Sequence, residues 1–386
     1  MAASLPQFIP KAFGTQFNYI PLGNFYISGD CGERLGSHEP RLIIKVSKFR
    51  IFIVSCIFYN ECLPMKEIIS KNTYCIYLDQ YATSGIFEND SILWKEIKEL
   101  LILGVDSGRI LCPSSSEHFL ETSQKEISKA KYLDSCFYEL SRGYAFKAEL
   151  FITSQLVISI IRKNSITCET YFFTDIKPNV LSQNEKIASF IKIKKQFDEK
   201  IEEGANLTNE IRKNARVNNL TTGVKESLQQ IMKSFSVNEF IKRIEDLLNT
   251  GSIKIRGIKF TSGDIPNWID LVIHQLLEKH KMNTNEAISL HKHLKEYGFD
   301  QIATLDIKHS LMSLIAVENK IEKSSDQIDY MRISTGLPVS DILLTDKKRK
   351  FEILFLGLDK KYNTKVLCGT ESDLQQFKEE LNKILD

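Results

Sequence analysis

The stretch that decides the fold is Thr73-Tyr-Cys-Ile-Tyr-Leu-Asp79, a short apolar run that stops at an acid. Runs of this length that are rich in aromatic and branched residues are typical of strands buried in the middle of a sheet. In an open α/β sheet, ligands bind beyond the carboxyl ends of such strands. Asp341-Ile-Leu-Leu-Thr-Asp346 is a second apolar run closed by an acid. We therefore expect Asp79 and Asp346 to meet in one acidic metal site.

The composition is that of an ordinary globular protein. The chain has 386 residues, enough for two domains, with 42% apolar and 26% charged residues and a net charge of +2. This balance excludes a polybasic chain, so nucleic-acid binding would need a local basic face. The eight cysteines form no CxxC pair and no cluster with zinc-site spacing, which favours a reducing cytoplasm. We expect neither a signal peptide nor a membrane span, because the most apolar window falls short of about 20 residues.

Short strands alternate with helices, which predicts an α/β fold with a parallel sheet. We divide the chain into an N-terminal extension (1–64), a first part of the α/β domain (65–123), a mainly helical insertion (124–302) and a second part (303–386). The fold of 1–64 is not predicted, and a start at Met65 would make this extension non-native. Residues 80–85 are interpreted as a loop. Ser236-Val-Asn-Glu239 fits a capping box that begins a helix ending near Leu248.

Four acids could carry chemistry: Asp79, Glu121, Asp329 and Asp346. Crowded carboxylates repel one another, and a bound Mg²⁺ or Mn²⁺ relieves that repulsion while taking hard oxygen ligands. Such ions can activate water and stabilise the charge that develops during phosphodiester hydrolysis. Each acid alone is more often a helix cap or a surface charge.

Neighbouring acids leave three assignments open. Glu117 lies one helical turn before Glu121 and faces the same side, and Asp326 competes in the same way with Asp329. Asp341 could coordinate a metal, although its position at the beginning of a strand favours a structural role. His118 could orient a carboxylate or a phosphate, and a hydrogen-bonded structural histidine is at least as common.

These residues resemble the PIN-domain nucleases. The resemblance rests on Tyr77-Leu-Asp79, on 113–121 (Pro-Ser-Ser-Ser-Glu-His-Phe-Leu-Glu), on Asp326-Gln-Ile-Asp329 and on 337–347 with its Thr-Asp-Lys ending. It implies a Rossmann-like three-layer fold, an Mg²⁺ or Mn²⁺ site formed by the four acids Asp79, Glu121, Asp329 and Asp346, and a hydrolase that acts as an endoribonuclease. It also implies a setting such as a toxin, a phage-defence effector or RNA processing. The segment 124–302 would be an insertion that small members of this family lack.

The substrate would be nucleic acid, RNA rather than DNA. A basic cluster follows Asp346 directly: Lys347, Lys348, Arg349 and Lys350. Together with His118 it could hold a phosphate backbone. A solvated helix face is an equally common origin of such a cluster. The insertion could be a lid, an RNA-gripping arm or a dimer surface. A homo-oligomer and a cognate inhibitor protein are the expected protein partners. Two other classes stay open: a catalytically weak nucleic-acid or protein binding module, and a Mg²⁺-dependent phosphohydrolase on another Rossmann-like fold.

Overall fold

A four-stranded parallel sheet lies at the centre of the protein. The computed structural model describes residues 72–115, 118, 126–174, 209, 222–251, 268–317, 321 and 323–386. The sheet order is β2-β1-β6-β7, and its strands are β1 (Tyr74–Leu78), β2 (Ile110–Leu111), β6 (Ile342–Thr345) and β7 (Lys365–Cys368). Strand β1 pairs with both β2 and β6, and Leu78 lies opposite Leu344. After β1 the chain adds β2 on one side of β1, and it later adds β6 on the other side. The direction in which strands are added to the sheet therefore reverses between β1 and β6.

Helices connect these strands and cover the sheet. Near the sheet lie α1 (Gln80–Glu88), α2 (Ile92–Asp106), α10 (Ser324–Gly336), α11 (Lys347–Phe355), α12 (Leu358–Lys361) and α13 (Glu371–Leu385). A 3-10 turn, Leu337–Val339, leads from α10 toward β6. The region between contains α3 (Ile127–Ser141), α4 (Glu149–Arg162), α5 (Cys168–Tyr171), α6 (Thr222–Thr250), α7 (Trp268–Glu278), α8 (Thr284–Tyr297) and α9 (Ala303–Val317). It also holds a second small sheet of β3 (Ser114–Ser115), β4 (Ala145–Phe146) and β5 (Phe172–Phe173).

The two faces of the sheet pack against different sets of helices. Ile76 and Leu78 belong to an apolar cluster with residues of α1, α2 and α13. Cys75 and Tyr77, which alternate with them, belong to a larger cluster on the opposite face. Gly336 permits this packing, because a Cβ there would lie 2.7 Å from the ring of Tyr77. The α/β class with a parallel sheet and an added helical region is therefore confirmed.

The helical region shares the core of the sheet domain. The larger apolar cluster contains Tyr77 and Leu343 together with Ile152, Leu294 and Phe299 of the segment 124–302. A buried ion pair adds to this packing: Lys308 Nζ donates to Glu149 Oε2 at 2.8 Å, and both side chains are about 1% exposed. The segment that we predict as an insertion is thus packed against one face of the sheet.

Two local predictions are wrong. Residues 80–85 form the beginning of α1, because the carboxylate of Asp79 accepts a hydrogen bond from Ala82 N and Ala82, Thr83 and Ile86 are buried. Ser236 does not begin a helix, since it lies in the interior of the 29-residue α6. The predicted strands at β6 and β7 are confirmed. The extension 1–64 lies outside the described residues.

Among the described residues, none of the helices is both long enough and apolar enough to span a bilayer.

Candidate acidic site at the carboxyl end of the sheet

Asp79 follows β1 directly and begins α1. Its backbone N–H donates to Leu344 O at 3.1 Å, so the chain is still paired with β6 at this point. Its Oδ1 accepts the N–H of Ala82 at 2.9 Å and thereby caps the helix. Burial raises the pKa of Asp79 to about 6, while hydrogen bonds from Ala82 and Thr345 and the charge of Arg332 act in the opposite direction. A carboxyl group in this environment is unfavourable in its charged form.

Asp346 occupies the equivalent position after β6. Its Oδ1 accepts the backbone N–H groups of Lys348 at 2.7 Å and Arg349 at 3.0 Å, which caps α11. Because Leu78 is opposite Leu344, Asp79 is level with Thr345, and Asp346 is one residue beyond. Asp79 and Asp346 therefore lie on adjacent strand ends, each at the N-terminus of a helix. Both positions agree with the prediction from the two apolar runs.

Asp329 reaches this edge from α10. Its negative charge acts on Asp79 and helps to raise the pKa of that carboxyl group. Arg332, one helical turn later, has its Nη1 3.8 Å from Asp329 Oδ1 and lowers the pKa of Asp79 through its charge. Arg332 is only 3% exposed. A buried guanidinium between two carboxylates reduces their mutual repulsion.

Asp326 and Asp329 play different parts, although both lie on α10. Asp326 is 2% exposed, accepts the N–H of Lys323 at 2.8 Å, and forms ion pairs with Lys348 at 2.6 Å and with Arg349. Burial by itself would raise the pKa of Asp326, but these hydrogen bonds and charges outweigh it and hold the pKa below its ordinary value. Asp326 is thus buried in its ion pairs, whereas Asp329, which also pairs with Arg349, has a side chain that is 25% exposed and is the acid of this helix whose charge acts on Asp79.

Arg349 is the centre of a buried ion-pair group. It is 2% exposed, its Nη1 lies 2.5 Å from Glu352 Oε2, its Nε lies 3.1 Å from Asp329 Oδ2, and it also contacts Asp326. Its guanidinium lies 4.8 Å from the ring centre of Tyr330. We therefore assign Arg349 to holding α10 against α11, since a side chain so deeply enclosed is not placed to contact a substrate.

The other three basic residues of this cluster differ in their surroundings. Lys347 is exposed on the first turn of α11. The side chain of Lys348 is 44% exposed while it pairs with Asp326. Lys350 pairs with Asp373 at 2.6 Å. Lys347 and Lys348 remain the basic side chains next to Asp346 that solvent can reach.

His118 is buried beside the sheet. It is 2% exposed, and its ring stacks on Tyr77 and on Phe137 with ring centres 5.5 and 4.4 Å apart. Its Nδ1 accepts the N–H of Ser115 at 3.2 Å. Burial and the charge of Arg332 lower the pKa of His118 well below its ordinary value, so the ring is neutral at pH 7. These contacts favour a packing role over contact with a phosphate.

The remaining acids complete this picture. Glu117 and Glu121 lie outside the described residues. Asp341 lies at the opposite end of β6, where its Oδ2 accepts the N–H of Cys75 at 2.9 Å, in agreement with a structural role at the beginning of the strand.

The acids at this edge of the sheet are candidate ligands for a divalent ion. Within the described ranges, no group of three or more His, Cys, Asp or Glu side chains is arranged to hold a metal ion. The chemistry of the acids nevertheless suits Mg²⁺ or Mn²⁺, because Asp79, Asp329 and Asp346 offer only carboxylate oxygens. Both hydrogen bonds to Asp346 end on Oδ1, which leaves Oδ2 available as a ligand.

Sequence reasoning missed Arg332 and Glu352. A local signal existed for both, because Arg332 follows Asp329 by three residues and Glu352 follows Arg349 by three, a spacing that brings helical side chains together. Their burial depends on how α10 packs against α11, which no local pattern reports.

The chain matches no protein-family model, and no curated protein or solved structure shows significant similarity to it.

Proposed function

We propose that the protein is a Mg²⁺- or Mn²⁺-dependent endonuclease that hydrolyses phosphodiester bonds in RNA. The observation that supports the proposal is that Asp79 and Asp346 directly follow the adjacent parallel strands β1 and β6, while Asp329 on α10 acts on Asp79 through its charge. The strand order reverses between these two strands, and ligands of open α/β sheets bind in the crevice at such a reversal. The PIN-domain resemblance of the sequence supports the same reaction class.

The charge balance at this edge favours a divalent cation. The network contains five carboxylates and three cations, an excess of two negative charges: Asp79, Asp326, Asp329, Asp346 and Glu352 against Arg332, Lys348 and Arg349. A bound Mg²⁺ or Mn²⁺ would balance this excess, and it would supply Lewis-acid activation of water. Burial raises the pKa of Asp79 although the charge of Arg332 opposes the shift, and a bound cation would further favour the ionised carboxylate.

The residues of the chain then have separate tasks. Asp79 and Asp346 would be the principal metal ligands, and Asp329 would complete the set or position the attacking water. Arg332 is a positioning residue that keeps Asp79 and Asp329 close together. The exposed Lys347 would attract the phosphate backbone, with a salt-dependent affinity. The N-termini of α1 and α11 point to the same edge and favour a negatively charged ligand there.

The test is cleavage of labelled single-stranded RNA, duplex RNA and DNA with Mn²⁺, Mg²⁺ or EDTA. We expect cleavage of RNA that EDTA abolishes, and a loss of at least 100-fold in Asp79→Asn and Asp346→Asn. Asp90→Asn is the matched control, because the side chain of Asp90 lies in the turn between α1 and α2, is 99% exposed and pairs with Lys95. Activity that persists in EDTA, or full activity in both site variants, would refute the proposal. Metal-dependent RNA binding without cleavage would favour the binding-module alternative.

A further inference from the structure

A half-exposed tyrosine lies at the carboxyl edge of the parallel sheet. Tyr81 is the second residue of α1 and is 50% exposed. Its ring packs against Gly369, the residue that follows β7. A Cβ at Gly369 would lie 2.7 Å from Cε1 and 2.8 Å from Cζ of Tyr81, and it would also meet the hydroxyl group. The missing side chain of Gly369 therefore provides the space that the tip of the ring occupies.

The order of the strands determines where this side chain runs. Strand β6 lies between β1 and β7, so the ends of β1 and β7 are about 10 Å apart. Tyr81 lies near the beginning of α1, which follows β1, yet it contacts the residue that follows β7. Its side chain therefore passes the end of β6. Thr345 is opposite Cys368. The next residues, Asp346 and Gly369, are thus level with each other, and the ring of Tyr81 reaches the neighbourhood of the proposed metal ligand Asp346.

Packing inside the protein does not use the whole of this side chain. Tyr77 on β1 and Tyr330 on α10 are each 1% exposed, whereas Tyr81 keeps half of its surface in contact with solvent. A half-exposed tyrosine has more accessible surface than its hydroxyl group alone provides, so part of the ring itself faces solvent. The contact with Gly369 holds the tip of the ring. Tyr81 thus presents an anchored aromatic surface at the edge of the sheet that carries the acids.

A nucleobase is the ligand that suits this surface. Every base has a flat π face, and stacking on aromatic side chains is the contact by which proteins hold single strands without reading their sequence. The phosphates of the same strand have other partners at this edge, namely the exposed Lys347 and the N-termini of α1 and α11. One ring is too small to hold a folded protein, since stable protein interfaces bury about 800 Å² per partner.

We propose that Tyr81 contacts the substrate directly and that its ring stacks on an unpaired base next to the scissile phosphate. This inference rests on the proposed nuclease function and adds a residue that binds the base. Gly369 is a positioning residue, because it lets the ring lie at the end of β6. A base inside a duplex is already stacked and paired, so the contact requires a single strand. The loss of one stacked base corresponds to a change of about 5- to 150-fold in affinity.

The first test measures binding and does not depend on cleavage. The probes are short single-stranded RNAs that carry 2-aminopurine at each position in turn and random bases elsewhere. They are titrated with the full-length chain in Ca²⁺, which takes oxygen ligands, and a gel shows that the RNA stays intact. The fluorescence of 2-aminopurine falls when this base stacks on an aromatic ring.

We expect the wild type to quench the probe in at least one position. Tyr81→Phe keeps the ring and should quench equally, with a dissociation constant within about twofold of the wild type. Tyr81→Leu should abolish the quenching and weaken binding at least about fivefold. Tyr74→Leu is the matched control, because Tyr74 is 46% exposed at the amino end of β1, on the opposite edge of the sheet, and its loss should change neither signal.

The second test separates substrate contact from a structural role. Tyr81→Leu should raise KM for single-stranded RNA at least about fivefold and leave kcat nearly unchanged, because the stack forms equally in the ground state and the transition state. Gly369→Ala should also raise KM, since the added Cβ displaces the tip of the Tyr81 ring. The urea midpoints of both variants should stay close to that of the wild type, because the ring is half exposed and can swing outward.

The outcomes distinguish this inference from the proposed nuclease activity. Cleavage of RNA that Tyr81→Leu leaves unchanged in KM would refute the stacking role and retain the nuclease. Binding and quenching that depend on Tyr81, without any cleavage, would retain the stacking role and refute the nuclease. A wild type that binds none of the RNA probes, or equal quenching by the wild type and Tyr81→Leu, would overturn the inference.

Discussion

The buried ion-pair group around Arg349 permits a quantitative prediction. Arg349→Met keeps most of the side-chain volume and removes the charge. Asp326 would retain Lys348 at 2.6 Å and the N–H of Lys323, and Asp329 is 25% exposed. Glu352, with a side chain 1% exposed, would lose the cation that lies 2.5 Å from it. Leaving a buried charge without its partner costs about 3–5 kcal/mol, so we expect a loss of about 4 kcal/mol at pH 7.

The assay is urea unfolding followed by both tryptophan fluorescence and circular dichroism, with coincident transitions required before a free energy is derived. Lys347→Met is the matched control on the same helix. Its side chain is exposed, so it should change the free energy of unfolding by less than about 0.5 kcal/mol. The double variant R349M/E352M should recover most of the loss, because it removes the stranded carboxylate together with its partner.

The pH dependence gives a further check on Arg349→Met. In the wild type, the pKa of Asp326 is lowered in the folded state. The stabilisation that ionised Asp326 contributes is therefore complete above the pKa of an unfolded aspartate, about 3.9. It is lost only as the pH falls through the lowered pKa. Between pH 7 and 5.5 this contribution is constant. In Arg349→Met the unpaired buried carboxylate can take up a proton as the pH falls, so the difference from the wild type should shrink. A loss below about 0.5 kcal/mol at pH 7, or a larger loss at pH 5.5, would refute this reasoning.

Four other substitutions probe the site and the packing. The pKa of Asp79 in the folded protein is about 6 and exceeds its unfolded value, so the free energy of unfolding of the wild type should fall as the pH rises through 6. Compared with the wild type, Asp79→Asn should therefore be more stable at pH 8 than at pH 5. Mn²⁺ should raise the urea midpoint of the wild type more than that of the variant. Gly336→Ala should lower the free energy of unfolding by about 1–3 kcal/mol, because the new Cβ would lie 2.7 Å from the ring of Tyr77. Gly223→Ala on α6 meets no atom within 4 Å, so it should stabilise the helix by about 0.5–1 kcal/mol in the same urea assay. Lys308→Met should lower the free energy of unfolding by about 3–5 kcal/mol by leaving its buried glutamate partner unpaired, and a loss under about 0.5 kcal/mol would contradict the burial of that pair.

Local sequence was sufficient for the four strands of the parallel sheet and for the two acids that follow β1 and β6, but it did not predict the second sheet of β3, β4 and β5. An apolar run buried on both faces is visible in the chain as it stands, and the residue after it must lie at the carboxyl end of the strand. The same logic failed at residues 80–85, where polar and small side chains suggested a loop. There the hydrogen bond that Asp79 accepts from Ala82 N and the burial of Ile86 stabilise a helix whose residues have only ordinary helix propensity.

The capping signal at Ser236 failed for a related reason. A serine followed three residues later by a glutamate fits the beginning of a helix, but it is equally compatible with the interior of a longer one. In the fold, Val237 and Phe240 continue the buried face of α6 across this point, while Lys233 is anchored to Asp300 and Asp306 one turn earlier. Packing on both sides of Ser236 keeps the helix continuous.

The sequence by itself determined the parallel α/β core and the positions of Asp79 and Asp346, because each depends on neighbours along the chain. The tertiary structure decided the surroundings of the charged side chains: it enclosed Asp326 in ion pairs and buried Arg349 among three carboxylates, Asp326, Asp329 and Glu352. The physical reason is that the environment of a charge depends on desolvation and on partners from distant segments. Those properties arise only when α10 and α11 pack together at the edge of the sheet.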